Sequence, residues 1–114
     1  MAVARPSVHA GEIERQLAAS FPASTAVTYG TGRAALASAI AMAMKATGRR
    51  TVVLPAYTSY SVAAAAAAAG ARVRLCDVSA STLDFDVRDL QACVGEDTAA
   101  VVFGNVFGLP SADR

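Results

Sequence analysis

Between Gly11 and Phe21 the apolar residues Ile13, Leu17 and Phe21 recur at helical spacing beside Glu12, Glu14 and Arg15, which predicts an amphipathic helix that Pro22 stops. Ala26 to Tyr29 reads as a short strand. Gly32 to Ala46 reads as a second helix with Leu36, Ile40 and Met44 on one face; Lys45 lies in its last turn and Gly48 just past its end. Thr51 to Leu54 is an apolar strand ended by Pro55. Thr58 or Ser59 can cap the next helix, which runs through Ala63–Ala69 to Gly70. Arg72 to Cys76 reads as a strand with Asp77 at its end, Asp86 caps a helix containing Leu90 and Cys93, and Ala99 to Phe103 is another apolar strand.

Strands alternate with helices, and the strands are apolar runs. This predicts an α/β fold, a mostly parallel sheet with helices on both faces. Ligands of such sheets lie beyond the carboxyl ends of the strands. Tyr29–Arg33, Pro55–Tyr60, Asp77 and Asn105–Gly108 all fall at such ends and are expected along one edge. After Phe103 no closing helix follows, and Ser111 to Arg114 reads as a loop cut short, so residues 1–114 are expected to be the N-terminal part of a larger domain.

Composition narrows the function classes. The chain is 54% hydrophobic and 17% charged, enough apolar side chain to fill a core. Ten Lys and Arg against nine Asp and Glu leave almost no net field, which argues against nucleic-acid binding. Cys76 and Cys93 form no metal-binding motif and the lone His9 does not complete one, so no metal site is expected and both cysteines read as free thiols. The N-terminus lacks a signal-peptide pattern, and the alanine run at 63–69 is too short to span a bilayer; a cytoplasmic protein is expected.

The chemistry centres on Gly30-Thr31-Gly32-Arg33-Ala34-Ala35, a G-x-G-x-x-A turn between a strand and a helix. A dinucleotide site would need an acidic residue about 20 residues on, at the end of the next strand. That strand ends Leu54-Pro55-Ala56-Tyr57 instead, which disfavours a NAD-binding oxidoreductase. The triphosphate motif G-x-x-x-x-G-K-[ST] is absent. What remains is a small phosphate held by the amides of Gly32, Arg33 and Ala34, with the Arg33 guanidinium as a further donor, or a tight turn whose glycines serve backbone angles alone.

The order of the pieces GTGRAAL, VVLPAYTSYSVAAAAAAAGARVRLCDV, TLDFDVRDLQACV and AAVVFGNVFGLPSAD resembles the N-terminal half of the large domain of DegT/DnrJ/StrS-type aminotransferases, which are fold-type I enzymes using pyridoxal 5′-phosphate (PLP). The resemblance covers Gly11 to Asp113. It implies that Thr31 to Leu36 is the cofactor-phosphate segment, with Arg33 where threonine is usual. It also implies that Pro55 to Ser59 is the ring-stacking segment. Ser59 falls at the family's aromatic position and cannot stack, so the neighbouring Tyr60 is expected to do so, with Tyr57 the other choice. Asp77 reads as structural, and Asn105 stands in place of a histidine.

The resemblance further implies a cofactor-binding lysine and a pyridinium-pairing acid later than this chain reaches; Lys45, the only lysine, reads as a solvated helix-end cation. Residues 1–114 alone are therefore expected to be inactive and poorly stable, with no catalytic residue among them. The implied reaction of the complete protein moves an amino group from a donor such as glutamate to a keto acceptor, in relatives often a nucleotide-linked sugar, and the implied assembly is a homodimer. A PLP-dependent sugar dehydratase and a non-catalytic PLP-binding homologue stay open beside it.

Overall fold

Thr51–Pro55 (β1) is buried along its whole length, and it is the strand on which the sheet is assembled. The computed structural model describes residues 8–110. Ser111 to Arg114, read above as a loop, lie outside the described residues. The chain divides into two compact units, 1–30 and 31–114.

In the second unit β1 is the centre of a three-stranded parallel sheet, flanked by β2 (Arg72–Cys76) and β3 (Thr98–Val101) in the order β2-β1-β3. Val52 stands opposite Val73 on one side and Ala100 on the other. The ladder continues past β3 through the Val102 amide, which donates to the Val53 carbonyl at 3.0 Å. Alternate residues of β1 serve two different layers, as the period of a strand requires. Val52 and Leu54 face Ile40 of α2 (Gly32–Thr47) and Ala66 of α3 (Tyr60–Ala68). Val53 faces the other way, onto Cys76 and Phe85, with Leu90 of α4 (Val87–Cys93) beside them. Helices thus cover both faces, as the apolar strands require.

The alanine run explains itself here. Ala65 and Ala66 are fully buried, and only side chains this small let α3 approach β1 and α2 so closely. Three helix boundaries have their expected chemistry. Gly48 closes α2 at φ 69°, its amide bonded to the Met44 carbonyl, and Gly70 follows α3 at φ 79°. The Asp86 carboxylate caps α4 by accepting from the Arg88 amide at 2.9 Å. At the amino edge of the sheet the Arg74 guanidinium donates twice to Asp97, and Thr51 adds a third hydrogen bond.

In the first unit, α1 (Val8–Ser20) carries the expected amphipathic pattern and ends before Pro22. The expected strand Ala26–Tyr29 is not formed. The reason is local: the Thr28 amide, which a sheet ladder would need, donates at 2.7 Å to the Glu14 carboxylate, and the Thr28 hydroxyl donates to the same oxygen at 2.8 Å. These bonds hold the Glu14 carboxyl below its ordinary range, the backbone one contributing most.

Candidate functional site

Parallel topology sends the starts of α2 and α3 to the carboxyl edge of the sheet. α2 enters β1 from its own C-terminus, and α3 leaves the end of β1. Three of the segments expected there do meet at this edge: Pro55–Tyr60 after β1, Asp77 after β2, and Asn105–Gly108 after β3. Tyr29, expected with them, belongs to the first unit.

A hollow of about 450 Å³ opens between the ends of β1 and β3, lined by Tyr57, Thr58, Ser59, Gly104, Asn105, Val106 and Phe107. It lies beyond the carboxyl ends of two neighbouring parallel strands, where such sheets bind ligands. Its walls are mainly apolar, with Tyr57 and Phe107 as the aromatic surfaces. Tyr60, the first residue of α3, does not line it and is 84% exposed. The resemblance and its place in the first helical turn favour Tyr60 as the ring-side aromatic, whereas Tyr57 is the tyrosine that lines the hollow.

Phe107 carries no signal of its own in the sequence, because its placement depends on an unusual backbone. It sits at φ 54° in the turn Val106–Gly108, where the Gly108 amide bonds to the Asn105 carbonyl at 3.1 Å. A non-glycine residue in this region is sterically costly and recurs at ligand clamps. Only the Asn105-Val-Phe107-Gly108 turn itself was legible as a segment near the site.

The start of α2 forms a second hollow, about 440 Å³, lined by Thr31, Arg33, Ala34, Ala37, Ala64 and Ala68. Thr31 is the N-cap; its hydroxyl accepts from the Ala34 amide at 3.1 Å, and its carbonyl accepts from Ala35. The amides of Gly32 and Arg33 are left unengaged among the described residues. Ala34, expected as a third anion donor, is taken by the cap. Arg33 is exposed and free to swing toward an anion at the same point. A phosphate there would meet two amides, a helix dipole and a guanidinium.

Other candidates are placed elsewhere. Lys45 is in the last turn of α2, at the amino edge and so across the sheet from both hollows. Asp77 serves through its backbone, its carbonyl accepting from the Asp86 amide at 3.2 Å. Among the described residues no group of His, Cys, Asp and Glu is arranged to hold a metal ion, and no helix is long and apolar enough to cross a membrane.

A family model, the DegT/DnrJ/EryC1/StrS aminotransferase family, matches residues 6–113. No curated protein matches the chain significantly. Among solved structures, the fold is similar to a GDP-4-keto-6-deoxymannose-3-dehydratase with a trapped PLP-glutamate geminal diamine (TM-score 0.77, 24% identity, 92% of this chain and 28% of that one). It is also similar to a Streptococcus pneumoniae protein assigned as a sugar aminotransferase, in its PMP form (0.75, 18%, 94% and 27%). A third is a sugar aminotransferase from Micromonospora echinospora (0.65, 22%, 93% and 29%). The chain therefore spans under a third of the length of each of these structures.

Proposed function

The chain belongs to the DegT/DnrJ/EryC1/StrS aminotransferase family, and from that membership we propose that it supplies the phosphate turn and the ring-side hollow of a PLP-dependent enzyme acting on a keto sugar. The observation that carries this reading is the pair of unengaged amides at Gly32 and Arg33, on the same sheet edge as an aromatic-walled hollow. The donor set fits the cofactor. The Gly32 and Arg33 amides and the Arg33 guanidinium suit a phosphate dianion, with Ala34 joining if Thr31 gives up its amide. Tyr57 suits the face of a pyridine ring, with Tyr60 next to it in sequence as the alternative.

When bound, PLP supplies an electron sink for the carbon that carries the amino group. The residues of this chain would hold it: the Gly32 and Arg33 amides at its phosphate, and Tyr57 and Phe107 as apolar walls that would exclude water from the hollow. Lys45, at the opposite edge, takes no part, so residues 1–114 alone would hold the cofactor without transaminating. For the whole enzyme we assign an amino acid such as glutamate as donor, a nucleotide-linked keto sugar as acceptor, a homodimer and a cytoplasmic setting. Dehydration of a keto sugar is the second reading, favoured by the fold's similarity to a dehydratase.

Titrating pyridoxamine 5′-phosphate onto the chain tests the cofactor assignment. The chain has no tryptophan, so tyrosine fluorescence reports on Tyr57 and Tyr60 over a background from Tyr29. Hydrogen bonds to a charged group are worth roughly 1.5–3 kcal/mol, so pyridoxamine lacking the phosphate should bind about tenfold to a hundredfold more weakly. Equal affinities would overturn the phosphate turn. Displacement by NADH would favour a dinucleotide site.

A further inference from the structure

Two thiols meet where β2 joins the layer of α4. Cys76 ends β2 and is buried; Cys93 ends α4 and is half-buried; both are free. They pack in one apolar cluster with Val53, Phe85 and Leu90. The Cys93 Sγ lies 3.7 Å from the carbonyl oxygen of Leu75, the residue bonded to Cys76, and the Cys76 Sγ lies 3.7 Å from the carbonyl oxygen of Asp77. The Arg74 guanidinium donates to the Cys93 carbonyl at 2.7 Å and so fixes the last turn of α4 against β2. Both thiols thus belong to one cluster between the end of β2 and the end of α4, the neighbourhood from which a disulfide can close.

We propose that Cys76 and Cys93 form a reversible disulfide when the protein meets a peroxide, a redox latch between the end of β2 and the end of α4. Cys93 is the sulfur that peroxide reaches, since Cys76 is sealed by its neighbours. The Cys93 thiolate attacks one peroxide oxygen; the S–O bond forms, the O–O bond breaks, and the other oxygen leaves and is protonated to water. The Cys76 sulfur then attacks the sulfenic sulfur. The S–S bond forms, the S–O bond breaks, and the departing hydroxide leaves as water with the Cys76 proton. Two thiols lose two electrons, and one peroxide becomes two waters.

The order of events is set by the surroundings. Burial first, and then the neighbouring Cys93, pushes the Cys76 thiol up to about 12, so Cys76 stays protonated until its partner is oxidised. The latch also touches the candidate site. The Cys76 carbonyl accepts from the Ala56 amide at 2.8 Å, one residue from Tyr57, so a constraint on Cys76 reaches the loop that walls the hollow. The latch stands whether or not that hollow binds a cofactor.

Graded hydrogen peroxide, alkylation of remaining thiols and peptide mapping by mass spectrometry test the proposal on the full chain. The expected product is an intramolecular Cys76–Cys93 link that dithiothreitol reverses, with little sulfinic acid at Cys93. In Cys76→Ala the resolving sulfur is gone, and sulfinic acid at Cys93 should rise roughly tenfold. Cys93→Ala, at a half-buried position, should leave Cys76 unoxidised, and it serves if Cys76→Ala does not fold. The proposal is overturned if wild-type Cys93 runs on to sulfinic acid while Cys76 remains a thiol. Links formed only between chains would overturn it as well.

Discussion

The starts of α2 and α3 share one edge of the sheet and one kind of cap, yet they leave different groups open. Thr31 and Ser59 both place a hydroxyl at the N-cap from extended backbone. At α2 the hydroxyl reaches forward to Ala34 and leaves the two amides before it open, the first on a glycine with no atom within 4 Å of where a Cβ would stand. At α3 the Ser59 hydroxyl takes the Ser61 amide at 3.4 Å and pairs with the Ser61 hydroxyl at 2.8 Å, and the large Tyr60 side chain occupies the first position. α2 is also the longer helix, 16 residues against 9. One start offers backbone donors; the other spends its polar groups on itself and borders the aromatic hollow. A helix N-terminus is thus an anion site only where the cap leaves amides over and the side chains leave room.

The largest perturbation should erase both starts together. Leu54 is fully buried beneath the layer that holds α2 and α3, so Leu54→Ala should cost about 3 kcal/mol in urea unfolding and weaken both hollows alike. A sharper cut separates them. Proline at the first helical position is compatible with the helix and removes only the amide, and Thr31 and Ser59 both have the extended backbone that a following proline wants. Gly32→Pro should therefore weaken pyridoxamine 5′-phosphate binding about tenfold with stability nearly unchanged. Tyr60→Pro should leave that affinity within about twofold; a large loss would move the phosphate, or the ring, to the start of α3.

Thr31→Ala removes the cap and should lower stability by about 1 kcal/mol, while the freed Ala34 amide keeps phosphate binding intact. The smallest effect lies far from either start. Hydrogen bonds from Arg74 first and Thr51 second hold the Asp97 carboxyl below its ordinary value. Its contribution is complete above the ordinary carboxylate range and fades as pH falls through the lowered value. Asp97→Asn should flatten the acid limb of stability against pH and leave the ratio of phosphate to non-phosphate binding unchanged.

Much of this arrangement was legible in the residues. The Gly48 cap of α2 and the Asp86 cap of α4 follow from local rules, because each depends on residues within one turn of itself. Ala26–Tyr29 misled for the opposite reason. Its β-branched residues suit a strand, but a strand exists only through its neighbours, and Glu14 took the amide that a neighbour would have bonded. The site divides the same way. Gly32 and Arg33, the proposed phosphate donors, open α2 where the glycine turn announced a helix start. The preference for Tyr57 over Tyr60 at the hollow was not legible, because it depends on how the chain leaves β1 through Pro55. Nor was Phe107, whose positive φ no residue type announces.

The account turns on which amides meet the phosphate, and a nuclear magnetic resonance titration of the isotopically labelled chain with pyridoxamine 5′-phosphate observes them directly. The account predicts that the Gly32 and Arg33 amide resonances shift most, that Tyr60 and Ser61 shift little, and that pyridoxamine without phosphate leaves Gly32 and Arg33 in place. Shifts centred on Tyr60 and Ser61, or the same shifts at Gly32 and Arg33 with the phosphate removed, would contradict it.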